Sequence, residues 1–135
     1  MLALAGCGGG HTDTNDYRGE VRSVQERYFA DLERFATEAT DVIGLDDTAA
    51  AKALQQYAAI ATRLAAEVAA VKPPEQAADE ARGLIAAYRG LASSATGLRT
   101  ALGAADPQRV EEARTGFNRA QADLVAAIDA LNAAA

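Results

Sequence analysis

An apolar stripe at helical spacing runs through the third quarter of the chain and constrains the fold more than any other feature. Its members follow one another at alternating steps of four and three residues: Ala77, Ala81, Leu84, Tyr88, Leu91, Ala95, Leu98 and Leu102. Such steps return a side chain to the same face of an α-helix, whereas a half-buried strand needs steps of two. The segment is therefore predicted to form one long helix that buries a single face.

Three other segments carry stripes of the same kind. The first holds Val21, Val24, Tyr28, Leu32, Phe35, Ala39 and Val42. The second holds Leu54, Tyr57, Ala61, Leu64, Val68 and Val71, and the fourth holds Val110, Ala113, Phe117, Ala120, Leu124, Ala127 and Leu131. Strands find no support in these patterns, so the chain is predicted to be all-α.

Residues that end or begin helices separate the first three stripes. Gly44 follows the first stripe, at a position where helices commonly end in a left-handed residue. Residues 46–48 offer N-caps for the second helix, which Pro73 and Pro74 end. Pro74 is expected in the first turn of the third helix, where an amide hydrogen is not needed.

The last turn has a similar pattern. Gly103 is expected to stop the third helix, and Asp106 with Pro107 forms an N-cap and first-turn pair for the fourth. Connections of only a few residues make consecutive helices antiparallel. Residues 16–135 are therefore predicted to form an antiparallel up-down-up-down four-helix bundle.

Composition and charge narrow the class of protein. The 135 residues suit one domain, and a content of 50% hydrophobic but 5% aromatic residues, rich in alanine, favours closely packed helices around a thin core. The formal net charge is −6, with acids and bases interspersed. Nucleic acid is not expected as a partner, because binding it requires a concentrated basic face.

Glycines recur at one position of the helical repeat. Gly83, Gly90 and Gly97 lie seven residues apart, each just before a stripe leucine, and Gly116 stands in the same way before Phe117. Glycine within a helix costs about 1 kcal/mol relative to alanine, so the repeat needs a compensating gain. Two interpretations are open: close packing against a neighbouring helix, or a shallow groove that receives a partner helix or an elongated apolar ligand.

Four aromatic residues are expected at similar heights in the bundle. Tyr57 and Tyr88 each lie about 21 Å from the turn between the second and third helices, and Tyr28 and Phe117 lie within about two turns of them. Buried tyrosine hydroxyls need hydrogen-bond partners. This waist is therefore either a packed layer of rings whose hydroxyls reach the rim, or a small polar pocket for a ligand.

The sequence contains no pattern of residues that is typical of a catalytic site. His11 is the single histidine, and it precedes the first stripe. Acids stand side by side, as at Asp79 and Glu80, and neighbours on a helix point away from each other. Metal and haem sites in bundles need inward-facing His, Glu-x-x-His or Met, which the predicted bundle lacks. We therefore expect no enzymatic activity, no catalytic residue, no metal site and no cofactor.

The N-terminus resembles a bacterial lipobox at Leu4, Ala5, Gly6 and Cys7. At such a site a lipoprotein precursor is diacylated on the cysteine thiol and cleaved just before it, beside small residues. Two acyl chains suffice for stable anchoring. The pattern predicts a protein held by a lipid on Cys7 at the extracytoplasmic face of a cell membrane.

The residues around the lipobox refine this prediction. Residues 1–6 contain no Lys or Arg and are shorter than the usual apolar region of about 7–15 residues. They are interpreted as the remainder of a signal peptide, so that either the true start codon lies upstream or the sequence is truncated. Residues 7–15 are glycine-rich and polar, and are expected to form a flexible tether. The alternative is a glycine-rich N-terminus in which a lone cysteine occurs by chance.

As a whole, the chain resembles the small alanine-rich lipoproteins of GC-rich Gram-positive bacteria. The likeness covers the lipobox, the glycine-rich tether, and the helices with the turn at residues 72–75 followed by a leucine stripe. It implies an outer-leaflet location and a four-helix or helical-hairpin domain. It carries no established activity.

Two functions are compatible with these patterns. One is an envelope module with a structural or protein-binding role, anchored in the membrane and contacting another envelope protein through a helix face. The alternative is a bundle that binds a small or lipid-like ligand, in a sensor or transport system. The residues that discriminate between these two functions are apolar and lie outside the stripes: Phe29, Ile43, Ile60, Ile85, Val125 and Ile128. If they are exposed together they mark a partner site, and if buried they belong to the core.

Overall fold

The structure is a computed structural model that describes the backbone of residues 2–42 and 47–134 and the side chains of residues 14–38 and 48–134. Its helices are α1 (Leu2–Val42), α2 (Asp47–Ala70), α3 (Ala78–Ala104) and α4 (Pro107–Ala133), with a single 3₁₀ turn at Glu75–Ala77. These ranges contain no strand, so the all-α prediction is confirmed. The predicted helix stop at Gly44 and cap at Asp46 lie outside the described residues.

The helices form the predicted antiparallel up-down-up-down four-helix bundle. α2 packs against α1 and α3, and α3 packs against α4. The Arg18 side chain of α1 hydrogen-bonds the backbone of Ala134, just beyond α4. Tyr28 of α1 hydrogen-bonds Glu67 near the end of α2. Because short connections join consecutive helices, each helix runs antiparallel to the next.

The predicted stripes form the core. Every member of the third stripe is buried, from Ala77 to Leu102. The other buried members are Val21, Val24, Leu32, Leu54, Tyr57, Ala61, Leu64, Val68, Phe117, Ala120, Leu124 and Leu131. Members packed partly buried against them are Tyr28, Phe35, Val71, Val110, Ala113 and Ala127. Full burial of one large aliphatic side chain contributes about 1.5–3 kcal/mol to the free energy of unfolding.

Core packing extends further toward the N-terminus than the first stripe. Tyr17 and Thr14 are buried, and they continue the spacing of four and three backward from Val21. The packed part of α1 thus begins slightly before residue 16, where the bundle is predicted to start. The predicted lipobox at residues 4–7 lies outside the described side chains, and its role stays a prediction.

The turn between α2 and α3 differs from the prediction at one point. Pro74 is not in the first turn of α3; its backbone is extended and it precedes the 3₁₀ turn. The Ala77 amide donates to the Pro74 carbonyl at 3.1 Å, and this tighter turn brings Ala77 into the core. α3 therefore begins at Ala78, because a residue hydrogen-bonded to the third one back is wound too tightly for an α-helix.

The end of α3 also lies beyond its predicted stop. Gly103 is still helical, and the left-handed residue is Ala105, with a φ of 54°. Its amide donates to the Leu102 carbonyl at 3.1 Å, which closes the last turn. The reversal falls here because Asp106 directly follows as the N-cap of α4. An L-residue other than glycine in this conformation costs about 1–2 kcal/mol.

The predicted start of α4 is confirmed. Asp106 accepts hydrogen bonds from the backbone amides of Gln108 at 3.0 Å and Arg109 at 3.4 Å, and Pro107 occupies the first turn. The carboxylate satisfies amides that no helical carbonyl can reach and carries negative charge to the positive end of the helix dipole.

Arg18 closes the opposite end of α4. Its guanidinium donates to the carbonyl oxygens of Leu131, Asn132 and Ala134 at 2.5 to 3.4 Å, and to the Asn15 side chain at 2.8 Å. The last carbonyls of a helix have no partner within it, and a cation there also opposes the negative end of the dipole. This side chain therefore ties α1 to α4 at one end of the bundle.

Candidate functional site

A groove separates α1 from α4 along the middle of the bundle. Consecutive helices approach within 8 Å at many positions, whereas the described residues of α1 and α4 rarely do. Phe29 and Leu32 of α1 and Leu124 and Ile128 of α4 line the space between them. The spacing of packed helices grows with the size of the side chains at the contact. Bulky residues therefore hold α1 and α4 apart where alanine-rich faces let the other pairs approach.

We call this space the α1–α4 groove. It has a volume of about 340 Å³, and its lining is mainly apolar: Phe29, Leu32, Glu33, Ala36, Thr37, Tyr57, Gln121, Leu124, Val125 and Ile128. Glu33 is the single charged residue among those that line it. Tyr57 reaches the groove from α2, behind the two helices that form the walls. The site is thus an apolar trough with one acid on its α1 wall.

Part of the apolar lining of the groove is accessible to solvent. Val125 is 58% exposed, the largest exposure of any large hydrophobic residue in the described chain. Phe29 and Ile128 are partly buried beside it. Both pack partly buried against the core, as do Ile60 and Ile85, and Ile43 lies outside the described residues. Of the six discriminating residues, Val125 is therefore the one that the described structure leaves exposed, and the four others that it describes belong to the edge of the core.

A buried hydrogen bond crosses the bundle next to this site. The side-chain amide of Gln25 donates to the hydroxyl of Tyr88 at 2.8 Å, joining the diagonally placed helices α1 and α3. Tyr88 is fully enclosed and Gln25 is 8% exposed. Burial raises the pKa of the Tyr88 hydroxyl, and the hydrogen bond from Gln25 opposes part of that rise.

An aromatic contact joins the other two diagonally placed helices, α2 and α4. The rings of Tyr57 on α2 and Phe117 on α4 meet edge to face, with centroids 5.1 Å apart and planes at 74°. Burial raises the pKa of the Tyr57 hydroxyl, and a hydrogen bond from Gln121 lowers it in part. Tyr57, Tyr88 and Phe117 are therefore packed and partnered, and they fill the waist in the described structure.

Tyr28 does not join the other three predicted waist residues. Its hydroxyl donates to Glu67 on the surface between α1 and α2, and this hydrogen bond is the main reason its pKa is raised. Arg27 pairs with the same carboxylate at 3.3 Å. The aromatic set predicted as a possible ligand waist is thus divided between the core and a surface cluster.

The glycine repeat lies beside open space. A methyl group built on Gly83, Gly90, Gly97 or Gly116 would meet no neighbouring atom within 4 Å. Gly83 and Gly90 line a shallow depression of about 280 Å³ between α3 and α4, with Ala120 among its other residues. The close contact that one interpretation of the repeat requires is therefore absent at these four glycines, and the interpretation as a groove for a partner helix or a ligand stays a prediction.

A further depression lies at the end of the bundle beside the α2–α3 turn. It has a volume of about 310 Å³ and is lined by Asp16, Tyr17, Glu20, Lys72, Pro73 and Pro74. The Tyr17 hydroxyl is buried without a hydrogen-bond partner, and burial raises its pKa. The charged side chains here are exposed, so no polar group of this depression is both held in place and accessible.

The described side chains contain no arrangement typical of catalysis. No three His, Cys, Asp or Glu residues among them come together to hold a metal ion. Asp79 pairs with Arg82, and Glu111 pairs with Arg114 at 3.5 Å, all on the surface. His11 and Cys7 lie outside the described side chains. No helix in the described part of the chain has both the length and the apolar character to cross a membrane.

Sequence analysis did not identify three residues that line the groove or hold the helices around it, namely Gln25, Gln121 and Arg18. Gln25 lies four residues after Val21, and Gln121 lies three before Leu124, so both fall on stripe faces where a polar residue signals a buried hydrogen bond. Arg18 had no such signal, because its role depends on where α4 ends in space.

Comparisons with models of protein families, with curated proteins and with solved structures find no match for this chain.

Proposed function

We propose that this protein is a lipid-anchored helical bundle at the extracytoplasmic face of a cell membrane, where it binds an envelope protein through the α1–α4 groove. The observation that carries the binding role is the mainly apolar lining of this groove, in which Val125 is 58% exposed beside the partly buried Phe29 and Ile128.

The anchor is supported by the sequence at residues 4–7 and agrees with the position of the bundle's ends. Thr14 and Arg18 begin the packed part of α1, at the end of the bundle that also holds the C-terminus of α4. Cys7 precedes them in the chain. A lipid on Cys7 would therefore hold that end toward the membrane and leave the groove along the side of the bundle.

The anchor is tested by fractionating the native host, with the protein expressed from its full upstream reading frame beside a Cys7→Ala copy. We expect the wild type in the membrane with the mass of a diacylated chain starting at Cys7, and the variant unacylated and unprocessed. A soluble, unmodified wild type would contradict the anchor.

The binding role is tested by recovering the protein from detergent-solubilised membranes. We expect one discrete protein to accompany the wild type and to be lost with Val125→Asp. Arg82→Glu, on the exposed face of α3, is the control and should retain it. Val125 is exposed, so the aspartate should leave the fold intact, as circular dichroism would verify. Equal recovery with both variants would contradict binding through the groove.

A second candidate function is binding of a small or lipid-like ligand in the same groove. The volume of about 340 Å³ and the Tyr57 and Gln121 side chains at its edge favour this alternative, since ligand sites are mostly apolar with a few polar groups. Native mass spectrometry of the gently purified protein discriminates between the two. An adduct that Val125→Asp removes would favour the ligand, and a bare chain would favour the protein partner.

A further inference from the structure

Two helical hairpins make up the bundle, and one connection joins them. The first hairpin is α1 with α2, and the second hairpin is α3 with α4. Residues 71–77 link α2 to α3, and these seven residues can extend over roughly 23 Å when their 3₁₀ turn unwinds. A helix that slides by seven residues moves by about 10.5 Å, which is well within that reach. The connection therefore leaves the two hairpins room to slide along each other.

The apolar core does not prevent such a slide, because its residues recur every seven positions. The leucines of α3 and the large apolar residues of α4 both follow this period: Leu84, Leu91 and Leu98, and Val110, Phe117, Leu124 and Leu131. In α2, Leu54, Ala61 and Val68 repeat in the same way. Seven residues are nearly two helical turns, so a slide of that length places apolar side chains against apolar side chains again.

Four polar side chains interrupt this repeat, one from each helix. The Gln25 amide of α1 donates to the Tyr88 hydroxyl of α3 at 2.8 Å. Gln121 of α4 hydrogen-bonds the Tyr57 hydroxyl of α2. Burial raises the pKa of the Tyr88 hydroxyl, the hydrogen bond from Gln25 lowers it, and the nearby Tyr57 hydroxyl raises it again. The two hydroxyls therefore lie close together, and we call these four residues the polar layer.

Both hydrogen bonds of the polar layer join the first hairpin to the second. One runs from α1 to α3, and the other runs between α2 and α4. By contrast, the Tyr28 hydroxyl donates to Glu67, and Arg27 pairs with the same carboxylate at 3.3 Å. These two contacts stay within the first hairpin. The polar layer thus depends on how the hairpins are placed relative to each other.

A slide by seven residues would break the polar layer. Tyr88 would then lie opposite Arg18 or Leu32, which are seven residues before and after Gln25. Leu32 has no group that bonds a hydroxyl, and Arg18 would bring a charge into the core. Buried hydroxyls and amides that lose their partners raise the free energy of the fold, because water cannot replace the lost bonds there. The slide therefore changes the apolar contacts little and the polar layer greatly.

We propose that the polar layer, and not the apolar core, selects the register in which the two hairpins pack. A fully bonded polar group inside a core specifies one arrangement, as a single buried polar residue does in coiled coils. The inference goes beyond the proposed function and does not depend on it. The α1–α4 groove lies between the two hairpins, so their register decides that Phe29 and Val125 line the same space.

The test measures a distance between the two hairpins with spin labels. The labels are attached at Ser23 on α1 and Thr100 on α3, which are both exposed, in the full chain with Cys7→Ala. Ser23 lies two residues before Gln25 and Thr100 lies twelve after Tyr88, on helices that run in the same direction. The labels are therefore about 21 Å apart along the bundle axis, and a slide of seven residues changes this to about 10.5 or 31.5 Å.

Double electron–electron resonance compares the wild type with a variant that lacks the polar layer. Labelled chains are diluted with unlabelled chains, so that each distance lies within one molecule. The variant carries four substitutions: Gln25→Leu, Tyr57→Phe, Tyr88→Phe and Gln121→Leu. We expect one distance peak in the wild type and a second peak, displaced as a slide of seven residues requires, in the variant. The control Tyr17→Phe, Tyr28→Phe removes two other tyrosine hydroxyls and should keep the single peak.

Several outcomes overturn the proposal. A single peak at the wild-type distance in the fourfold variant would show that the apolar core sets the register. A displaced peak in the control as well would show that the polar layer has no special role. A displaced peak with Arg18→Ala but not with the fourfold variant would assign the register to the contact of Arg18 with the end of α4. If circular dichroism shows that the fourfold variant has lost its helices, Gln25→Leu, Tyr88→Phe takes its place with the same two opposed results.

Discussion

The side-chain amide of Gln25 on α1 donates a 2.8 Å hydrogen bond to the hydroxyl of Tyr88 on α3, across the interior of the bundle. Both side chains are buried, and the two helices lie diagonally to each other rather than side by side. A buried polar pair of this kind is satisfied in only one register of the two helices. It therefore fixes how far α1 is shifted along α3.

The first prediction concerns this pair. Tyr88→Phe removes the hydroxyl and leaves the Gln25 amide buried without its acceptor, so we expect a loss of about 1–3 kcal/mol in the free energy of unfolding. In Tyr88→Phe, Gln25→Leu neither partner remains, and part of the loss should be recovered. Denaturant titration of both single variants and the double variant gives the coupling. Strictly additive losses would show that the two side chains do not interact.

The second prediction uses Tyr17, whose hydroxyl is buried without a hydrogen-bond partner. Tyr17→Phe removes a polar group that folding strips of water without replacing its hydrogen bond. We expect the free energy of unfolding to stay equal or to rise by up to about 1 kcal/mol. The measurement is the same titration, with Tyr88→Phe as the matched control. A loss at Tyr17 as large as that at Tyr88 would mean that the hydroxyl has a partner in solution.

The third prediction concerns the turn between α3 and α4. Ala105 has a φ of 54°, a conformation that glycine adopts without strain. Ala105→Gly should therefore raise the melting temperature, by the equivalent of up to about 1 kcal/mol. Ala86→Gly, at an exposed position inside α3, is the control and should lower stability by about 1 kcal/mol. If both substitutions destabilise equally, residue 105 is not left-handed in solution.

The fourth prediction concerns the glycine repeat of α3. A methyl group on Gly90 meets no atom within 4 Å, so Gly90→Ala adds helix propensity without a clash. We expect a gain of about 0.5–1 kcal/mol in stability by thermal melting. Gly97→Ala should behave in the same way. A strong loss at either position would restore the close-packing interpretation of the repeat.

The fifth prediction is a loss of stability at high pH. Burial raises the pKa of Tyr57 and Tyr88 above the ordinary value of 10.0. As the pH rises above about 10, the unfolded chain loses protons that the folded chain keeps, and the free energy of unfolding falls. Tyr88→Phe should make this fall shallower, by up to about 1.4 kcal/mol per pH unit. Stability of the wild type that does not change between about pH 9 and pH 11 would contradict the raised pKa values.

The sequence predicted the fold well because its evidence was local and repeated. The third stripe is buried throughout, and the Asp106 cap begins α4 as expected. The two turns were less well predicted, since the left-handed residue is Ala105 rather than Gly103. The position of the left-handed residue depends on where the next helix is capped, and residue type alone does not determine that position.

The candidate site was only partly predictable. Phe29, Val125 and Ile128 stood out as apolar residues beyond the stripes, but their meeting across α1 and α4 depends on the spacing of two helices far apart in sequence. The sequence grouped Tyr28 with the waist by its height along the bundle. Its direction around α1 places it instead beside Glu67. Height follows from residue counting, whereas direction depends on how each helix is rotated in the bundle.

Photo-crosslinking in membranes of the native host tests whether the α1–α4 groove binds a protein partner. A photoreactive residue is placed at Val125 or Phe29 in the groove, or at Arg82 on α3 as the control. We expect one crosslinked species of the same mass from both groove positions and none from Arg82. The absence of a crosslink at Val125 and Phe29, or the same species from all three positions, would contradict binding through the groove.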